Sequence, residues 1–411
     1  MKEPRISVGI DIGNTKVVTC VGKFDDGSVD IIGLGKSVNQ GIRRGVIVDV
    51  DETVSAISAS LDEAERMAGF SIDSASIGIS GPYIESEQSH GVIAVSRTDA
   101  EITAEDAFRA IEAARAIPSR PNREILHVLP LYYVIDGNEV IKDPVGMTGI
   151  RLEVNANIIS ASVNAIKSIT RAVEQSGVTV NDLVFSPLAT ARILVTKRQM
   201  EIGVMLIDIG ANTTSYAVFE EGELTTCGVV PVGSMHITND IAIGLRTNLD
   251  LAEIIKVKHS YALADRVDEK EEIDLSKLDK NETEKVNIKY VSEIVEARLN
   301  EIMLIIRDNL EKANCNTALP AGIIITGGGA KIDGLTEMVK ETMRLPATIG
   351  KPIIEISGLI DKSADPIYST SIGLMLWNKN KSAAPNNFDF NIGGLNNFVD
   401  KIKSTFKHFL P

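Results

Sequence analysis

The segment Ile6-Ser-Val-Gly9-Ile10-Asp11-Ile12-Gly13-Asn14-Thr15-Lys16 returns in degenerate form as Val204-Met-Leu-Ile207-Asp208-Ile209-Gly210-Ala211-Asn212-Thr213-Thr214. In each copy a β-branched apolar run too short for a helix ends in Asp. A small-residue turn follows, and then a second run, Lys16 to Val21 and Ser215 to Phe219. This pattern predicts a buried hairpin in each half of the chain. Gly13 and Gly210 let backbone N–H groups come close to phosphate oxygens. The hydroxyls of Thr15, Thr213 and Thr214 add donors, and the carboxylates of Asp11 and Asp208 suit a hydrated Mg²⁺. A single Asp-Ile-Gly is usually an ordinary turn. Two with matched flanks predict two halves sharing one phosphate-bearing ligand.

Composition sets the outer limits. With 411 residues, 44% hydrophobic and 4% aromatic, the chain has material for two to four packed units. A formal charge of −14 and a pI near 5.0 leave no basic face for nonspecific nucleic-acid binding. Cys20, Cys227 and Cys315 are isolated, so neither a disulfide framework nor a thiolate metal site is expected, and a reducing cytosol fits. Met1 leads into Lys-Glu-Pro-Arg, and no uncharged apolar run approaches the roughly 18 residues of a membrane span. The chain is therefore expected neither to be secreted nor to cross a bilayer.

Outward from the first hairpin, Val29 to Leu34 reads as a strand. Its Gly33-Leu-Gly35 lacks the third glycine of a dinucleotide fingerprint. Asp51 is placed to cap a helix running to about Met67, with Val54, Ile57, Leu61 and Ala64 on one face and Gly69 as its stop, and Ala75 to Ser80 forms the next strand. Residues 82–160 change character and read as an inserted subdomain. It holds a helix from Thr103 to Ala116, a strand pair within Leu126–Asp136 and a turn-rich link from Asp143 to Glu153. His127, alone in an apolar run with no nucleophile motif nearby, is assigned no chemistry. A helix spans Ala161 to Ser176, and Val184–Ala189 opens the helix that crosses to the second half, a natural hinge. The mixed charges from Asp265 to Lys285 read as solvated surface. In the helix from Tyr290 to Lys312, Ile294, Val295, Leu299, Ile302, Ile305 and Ile306 turn inward, leaving Glu296, Arg298 and Glu301 outside.

The end of the chain differs from the rest. Asn378 to Gly394 has little to bury and reads as a flexible linker. Beyond it Leu395, Phe398, Val399, Ile402, Phe406, Phe409 and Leu410 fall within a helical arc of about 120°. Lys401, Lys403 and Lys407 flank that stripe against the single acid Asp400. A basic amphipathic helix with Phe on its apolar face is expected to lie in an anionic membrane surface. One such helix binds weakly, with a constant of about 10⁴ M⁻¹, so firm attachment needs several copies.

The paired turns, the cluster Ile323-Ile-Ile-Thr326-Gly327-Gly328-Gly329-Ala330, and Asp365-Pro366-Ile-Tyr368-Ser-Thr370-Ser-Ile372-Gly373-Leu374 resemble the phosphate-1, phosphate-2, adenosine and second connecting motifs of the actin, Hsp70 and sugar-kinase clan. Leu126-His-Val-Leu-Pro130, Pro144-Val-Gly-Met-Thr-Gly149 and Arg151-Leu-Glu153 narrow the resemblance to the FtsA family of bacterial cell division. It covers the chain to about Leu376, and the tail echoes it. The resemblance implies an α/β, actin-like ATPase fold, with two duplicated RNase H-like lobes around a nucleotide cleft and an inserted 1C-type subdomain. Residues 1–81 and 161–195 would then form the first lobe around the 82–160 insert. The second lobe would take 196–228 and 313–360, with 229–312 carrying its 2B subdomain. Residues 361–377 would return to the first lobe, followed by the linker, 378–394, and the membrane helix, 395–411.

The same resemblance implies ATP and Mg²⁺ as cofactors. Gly13, Asn14, Thr15 and Lys16 would meet the phosphates from one side, and Gly210, Ala211, Asn212, Thr213 and Thr214 from the other. Asp11 and Asp208 would serve the Mg²⁺ through water. Glu253 would accept from ribose hydroxyls with Lys256 over the nucleoside, one helical turn apart, and Gly327, Gly328 and Gly329 would admit adenine. Ala211 and Asn212 replace glycines of the usual phosphate-2 loop, which alters its phosphate contacts. Ser186 stands where Hsp70-type ATPases and MreB-like filaments carry Glu, so weak or absent turnover is expected. The implied partners are the FtsZ C-terminal peptide, at Arg298 and Glu301, further copies in a filament, and other division proteins. All would meet on the cytoplasmic face of the membrane at the septum. A pilus-assembly actin homologue of the PilM type shares the lobes but gives no reason for the insert or the anchor. A sugar kinase or chaperone ATPase conflicts with Ser186 and the lack of a substrate domain.

Overall fold

The computed structural model describes residues 5–377, apart from 26–27, 97–98, 117–119, 281, 316–317 and 359–363. The linker and the amphipathic helix expected over 378–411 lie outside the described residues. In the first lobe β1 (Arg5–Ile12), β2 (Lys16–Asp25) and β3 (Ser28–Val38) form an antiparallel meander. A small hairpin, β4 (Ile42–Arg43) and β5 (Val46–Ile47), leads into α1 (Val50–Ala68). Next, β6 (Ser74–Ile79) joins β1 in parallel.

The insert contributes β7 (Ile84–Ala94), α2 (Ala104–Arg115), β8 (Arg123–Ile135), β9 (Glu139–Ile141) and β10 (Arg151–Ser162), with sheet order β7-β10-β8-β9. The chain returns through α3 (Val163–Gln175) and β11 (Thr179–Phe185), and α4 (Ser186–Leu194) crosses to the second lobe.

There α5 (Lys197–Ile202) precedes β12 (Val204–Ile209), β13 (Thr214–Glu220) and β14 (Glu223–Val230), again an antiparallel meander. Then come α6 (Ser234–Leu245), α7 (Leu249–His259), the short pair β15 (Glu272–Asp274) and β16 (Lys285–Asn287), and α8 (Ile288–Lys312). The lobe closes with β17 (Ile323–Thr326), α9 (Leu335–Met343) and β18 (Ala347–Ile349), after which β19 (Ile356–Gly358) and α10 (Ser369–Met375) return to the first lobe.

The two central sheets, β11-β6-β1-β2-β3-β19 and β14-β13-β12-β17-β18, have one topology. Strands β12, β13, β14, β17 and β18 repeat β1, β2, β3, β6 and β11, and β19 is the addition. The duplication read in eleven residues thus extends over whole lobes. Their strands carry long buried apolar runs because both faces are covered, and one core passes from the first lobe through Phe185, Leu188 and Ile193 to Leu206 and Phe219.

Several expected elements shift. The cap of α1 is Asp49, which accepts from the Glu52 N–H, with Asp51 inside the first turn. Gly69 stops the helix in the left-handed region as expected. Residues 126–135 lie in one long strand rather than a pair, with Asp136 in the turn after it: Pro130 stands opposite Ala156 where the register slips, so the ladder loses no donor there. Ala161 belongs to β10, and α3 begins at Val163. Lys285 lies in a hairpin strand, with its side chain exposed as expected.

Gly35 shows how tightly α1 lies on the sheet, since a methyl group there would overlap the Ser60 carbonyl oxygen. Gly35→Ala must push the helix off β3 and strain the Thr19–Ser60 hydroxyl contact of 2.8 Å. The expected loss is about 3 kcal/mol in a urea titration. A loss under about 0.5 kcal/mol would mean that this packing is looser than drawn.

Candidate functional site

The ends of the two central hairpins meet at a cleft of about 460 Å³ between the lobes. Each turn closes in the same way. The Gly13 N–H donates to the Lys16 carbonyl at 2.9 Å, and the Gly210 N–H to the Thr213 carbonyl at 2.9 Å. Both glycine N–H groups are therefore spent on the turn, and what remains for a ligand is the rest of each loop. The loops are anchored differently. In the first, the Asn39 side-chain amide donates to the Gly13 carbonyl at 2.8 Å and the Asn39 N–H to the Thr15 carbonyl at 3.0 Å. In the second, the Ser234 and Met235 N–H groups at the start of α6 donate to the Gly210 and Ala211 carbonyls. Asn39 belongs to no recognisable motif, and only the fold brings it to the turn.

Asp11 and Asp208 end the apolar runs of β1 and β12 and line the cleft from opposite lobes. Burial, and then the negative charge of Asp208, push the Asp11 carboxyl up to about 7. Burial raises Asp208 as well, although it accepts from the Thr370 hydroxyl at 3.2 Å. Lys16 is the ammonium that offsets them, and burial lowers its own pKa against the pull of Asp11. Two half-buried carboxylates against one partly desolvated ammonium leave a deficit of positive charge, which fits a divalent cation. Among the described residues no group of three or more His, Cys, Asp or Glu could hold a metal. A cation here would take its other ligands from phosphate and water, as Mg²⁺ does.

The predicted residues divide. Gly13, Asn14, Thr15, Lys16, Gly210, Ala211, Thr213, Glu253, Lys256, Gly327, Gly328 and Gly329 line the cleft with the two aspartates. Thr214 does not: strand alternation turns it away, and its buried hydroxyl donates to the Val232 carbonyl at 2.8 Å. Asn212 is also absent from the lining. Glu253 and Lys256 bind each other at 2.6 Å and share the Thr238 hydroxyl, and Lys256 also donates to the Ser234 carbonyl. The Lys256 ammonium is thus part of the wall, only 6% exposed, and braces α7 to the start of α6. Of the three glycines, Gly327 has φ +86° and a methyl there would overlap the Asp208 carboxylate, so packing demands it. Gly328 instead faces the cleft, where a methyl would stand 3.4 Å from Lys16 Nζ.

Ser186 lines the cleft at the start of α4, only 3% exposed. A methyl on Gly78 would meet both its hydroxyl, at 2.9 Å, and Asp11 Oδ1, at 3.5 Å. The carboxylates lining the cleft are Asp11, Asp208 and Glu253. Away from the cleft, Arg298 holds Asp240 at 2.6 and 2.9 Å and pairs with Glu301. It is therefore a brace between α8 and α6 and not a free surface cation.

Comparison with known proteins places the fold and the family. Residues 205–373 match the family described as "Cell division protein FtsA", and residues 81–160 match "SHS2 domain inserted in FTSA". The chain is 36% identical to the FtsA protein of Pseudomonas aeruginosa over 92% of its length and 90% of that protein's. It is 35% identical to the FtsA protein of Bacillus subtilis, covering 91% of this chain and 84% of that one. Among solved structures, a PilM-PilN type IV pilus biogenesis complex aligns with a TM-score of 0.65 at 15% identity, over 90% of this chain and 97% of that one. MreB5 of Spiroplasma citri bound to ADP aligns with a TM-score of 0.53 at 13% identity, over 91% and 96%. These likenesses are of fold, and the fold is that of the actin-like ATPases. The pilus-assembly likeness goes no further than that. The chain belongs to the FtsA family of cell division proteins.

Proposed function

We propose that this cell-division actin homologue binds Mg²⁺-ATP between its lobes, assembles with copies of itself on the membrane, and tethers FtsZ there. The observation that carries the reading is the pair of equivalent turns that bring Asp11 and Asp208 to one cleft from two lobes. Thr15 and Thr213 would donate hydroxyls to phosphate oxygens, Lys16 would pair with phosphate charge, and Gly328 would leave room for the base. Asp11 and Asp208 would hold Mg²⁺ through water, and the ion, when bound, neutralises phosphate charge. Asn39 and the start of α6 keep the two loops in register. With Glu253 tied to Lys256 and Thr238, and with Asp11 and Asp208 given to the cation, no cleft carboxylate is left to orient water, which favours slow turnover.

The membrane and FtsZ roles rest on other residues. Leu395, Phe398, Val399, Ile402, Phe406, Phe409 and Leu410 lie outside the described residues, and the reading of a membrane helix there rests on their periodicity. Among the described residues no helix is long and apolar enough to cross a membrane. For FtsZ, exposed Ile243 and Tyr290 lie on the subdomain that carries Arg298 and Glu301, which suits an amphipathic peptide. The test is co-sedimentation with anionic liposomes of the full chain and of a version ending at Asn378, with Mg²⁺-ATP and the FtsZ C-terminal peptide. The full chain should pellet with peptide and the shortened one should stay in solution. Equal pelleting of both would remove the anchor from the account, and peptide retention unaffected by Arg298→Glu would move the docking site elsewhere.

A further inference from the structure

Asp208 is confined at both oxygens. A methyl on Gly327 would overlap Oδ1, and Oδ2 accepts from the Thr370 hydroxyl at 3.2 Å. Thr370 stands on the first turn of α10, which is itself fixed at two points. Its neighbour Ser369 meets the Thr326 hydroxyl at 3.1 Å, and Thr326 is the ladder partner of Asp208 between β12 and β17. Further along, a methyl on Gly373 would overlap the Ala189 carbonyl oxygen, so α10 and α4 touch backbone to backbone. That contact sets the Thr190 hydroxyl of α4 3.0 Å from the Thr370 hydroxyl, and Thr190 also reaches the Ser186 carbonyl at 2.9 Å. Both threonines are buried.

The supply of protons orders this chain of contacts. Asp208 to Thr370, Thr370 to Thr190 and Thr190 to the Ser186 carbonyl are three contacts, and each of the two hydroxyls has one proton to donate. A carbonyl can only accept, and so can an ionised carboxylate. Both ends of the chain therefore call for a proton, and the middle contact has none unless one end gives way. A hydrogen bond to a charged acceptor is roughly twice as strong as one to a neutral carbonyl, so the carboxylate keeps the Thr370 proton. Thr370 then presents only lone pairs to Thr190, and two buried oxygens 3.0 Å apart do not face each other without a proton between them. Thr190 therefore turns its proton from the Ser186 carbonyl to Thr370.

We propose that Thr370 is the positioning residue for Asp208, its hydroxyl fixing the carboxylate for a hydrated divalent cation, and that Thr190 in turn fixes Thr370. The assignment rests on the Mg²⁺-nucleotide reading above. The test is calorimetric titration of ATP into the full chain, with Mg²⁺ and with EDTA in its place, and the quantity read is the ratio of the two affinities. Thr370→Val keeps the shape, removes the hydroxyl and leaves Thr190 its Ser186 acceptor. The ratio should fall about tenfold in Thr370→Val and return to within about twofold of the parent in Thr370→Ser. Thr190→Val should lower it severalfold in the parent and no further in Thr370→Val, because Thr190 acts through Thr370. An equal ratio in the parent and Thr370→Val, a Thr370→Ser that behaves as Thr370→Val does, or losses that multiply in the double variant would overturn the assignment. A parent that binds no ATP, or binds it without regard to Mg²⁺, removes the nucleotide and cation reading instead. The hydroxyl is then decided by urea titrations of the ligand-free chain. There the effects of Thr370→Val and Asp208→Asn fail to add if the hydroxyl serves Asp208, and simple addition would overturn its role.

Discussion

Asp11→Asn is expected to abolish retention of Mg²⁺-ATP while making the nucleotide-free protein more stable. The carboxyl of Asp11 is desolvated in the cleft wall, feels the charge of Asp208, and is pushed up to about 7. For an acid whose pKa is higher in the folded state than in the unfolded one, ionisation works against folding. The penalty is absent below the ordinary value near 3.8, grows as pH rises toward 7, and is at its full size above that. At pH 8 a neutral amide of the same shape removes the penalty, and with relaxation discounted the gain should be about 2 kcal/mol. On the proposed role, the variant also removes one of the two carboxylates that would hold the cation through water, for which a loss of about 100-fold in Mg²⁺-dependent affinity is expected. Thermal unfolding at pH 8 with and without Mg²⁺-ATP reads both effects. A variant that is less stable than the parent without ligand, yet still stabilised by Mg²⁺-ATP, would remove Asp11 from the site. A residue that costs stability where it stands is the mark of a site kept for function.

His127 gives the second large effect, of opposite sign in pH. It is largely enclosed in β8, its Nε2 accepts from the Phe185 N–H at 3.0 Å, and its ring packs edge-on to Trp377 at 5.8 Å. Burial lowers its pKa to about 4. Because the folded form resists protonation, the unfolded chain takes up the proton first as pH falls below about 6.5. Stability from this group is complete above 6.5 and is lost progressively down to about 4, by about 2 kcal/mol at pH 5 and about 3 kcal/mol in all. Asp11 titrates across the same range with the opposite sign, so the parent profile alone is uninformative. The useful quantity is the gap between parent and His127→Gln, whose side-chain oxygen can still accept from Phe185. In urea titrations that gap should move by about 2 kcal/mol in favour of the variant between pH 7.5 and pH 5. A gap that stays constant would mean the imidazole is protonated in the folded protein or reaches water.

The cleft and the elements around it differ in how far the sequence disclosed them. Asp11 and Asp208 were legible because an apolar run, a terminal acid and a small-residue turn are all local, and repetition removed the ambiguity of either copy. The insert was legible from its change of character, and so was its helix from Thr103 to Ala116, whose cap by Thr103 and Asp106 the structure adds. Pro130 misled, because proline at a register slip costs no hydrogen bond and so does not break the strand. Thr214 misled because a one-residue step along a strand reverses the face. The bracing of Lys256 by Glu253, Thr238 and Ser234, and of Arg298 by Asp240, depends on helices brought together by packing. Asn39 was invisible for the same reason: its partners lie 24 and 26 residues earlier in the chain.

The helices that cross between the lobes connect the cleft to the rest of the molecule. Thr190 of α4 meets Thr370 of α10 at 3.0 Å, and Thr370 in turn reaches Asp208. Arg192, two residues on and the one residue of α4 that is not buried, lies 4.8 Å from the centre of the Trp377 ring and donates to its carbonyl at 3.0 Å. Trp377 is the single tryptophan and directly precedes the expected linker. A change at the Asp208 side of the cleft therefore has a short, packed route to the root of the tail.

The central claim is that two lobes hold one nucleotide through equivalent residues. It is tested most directly by equilibrium titration of Mg²⁺-ATP into the full chain and into Asp11→Asn and Asp208→Asn, one change in each lobe. The account expects one saturable site per chain, lost to a similar extent in either variant. Binding that survives Asp208→Asn unchanged would show that the second lobe takes no part, and would contradict it.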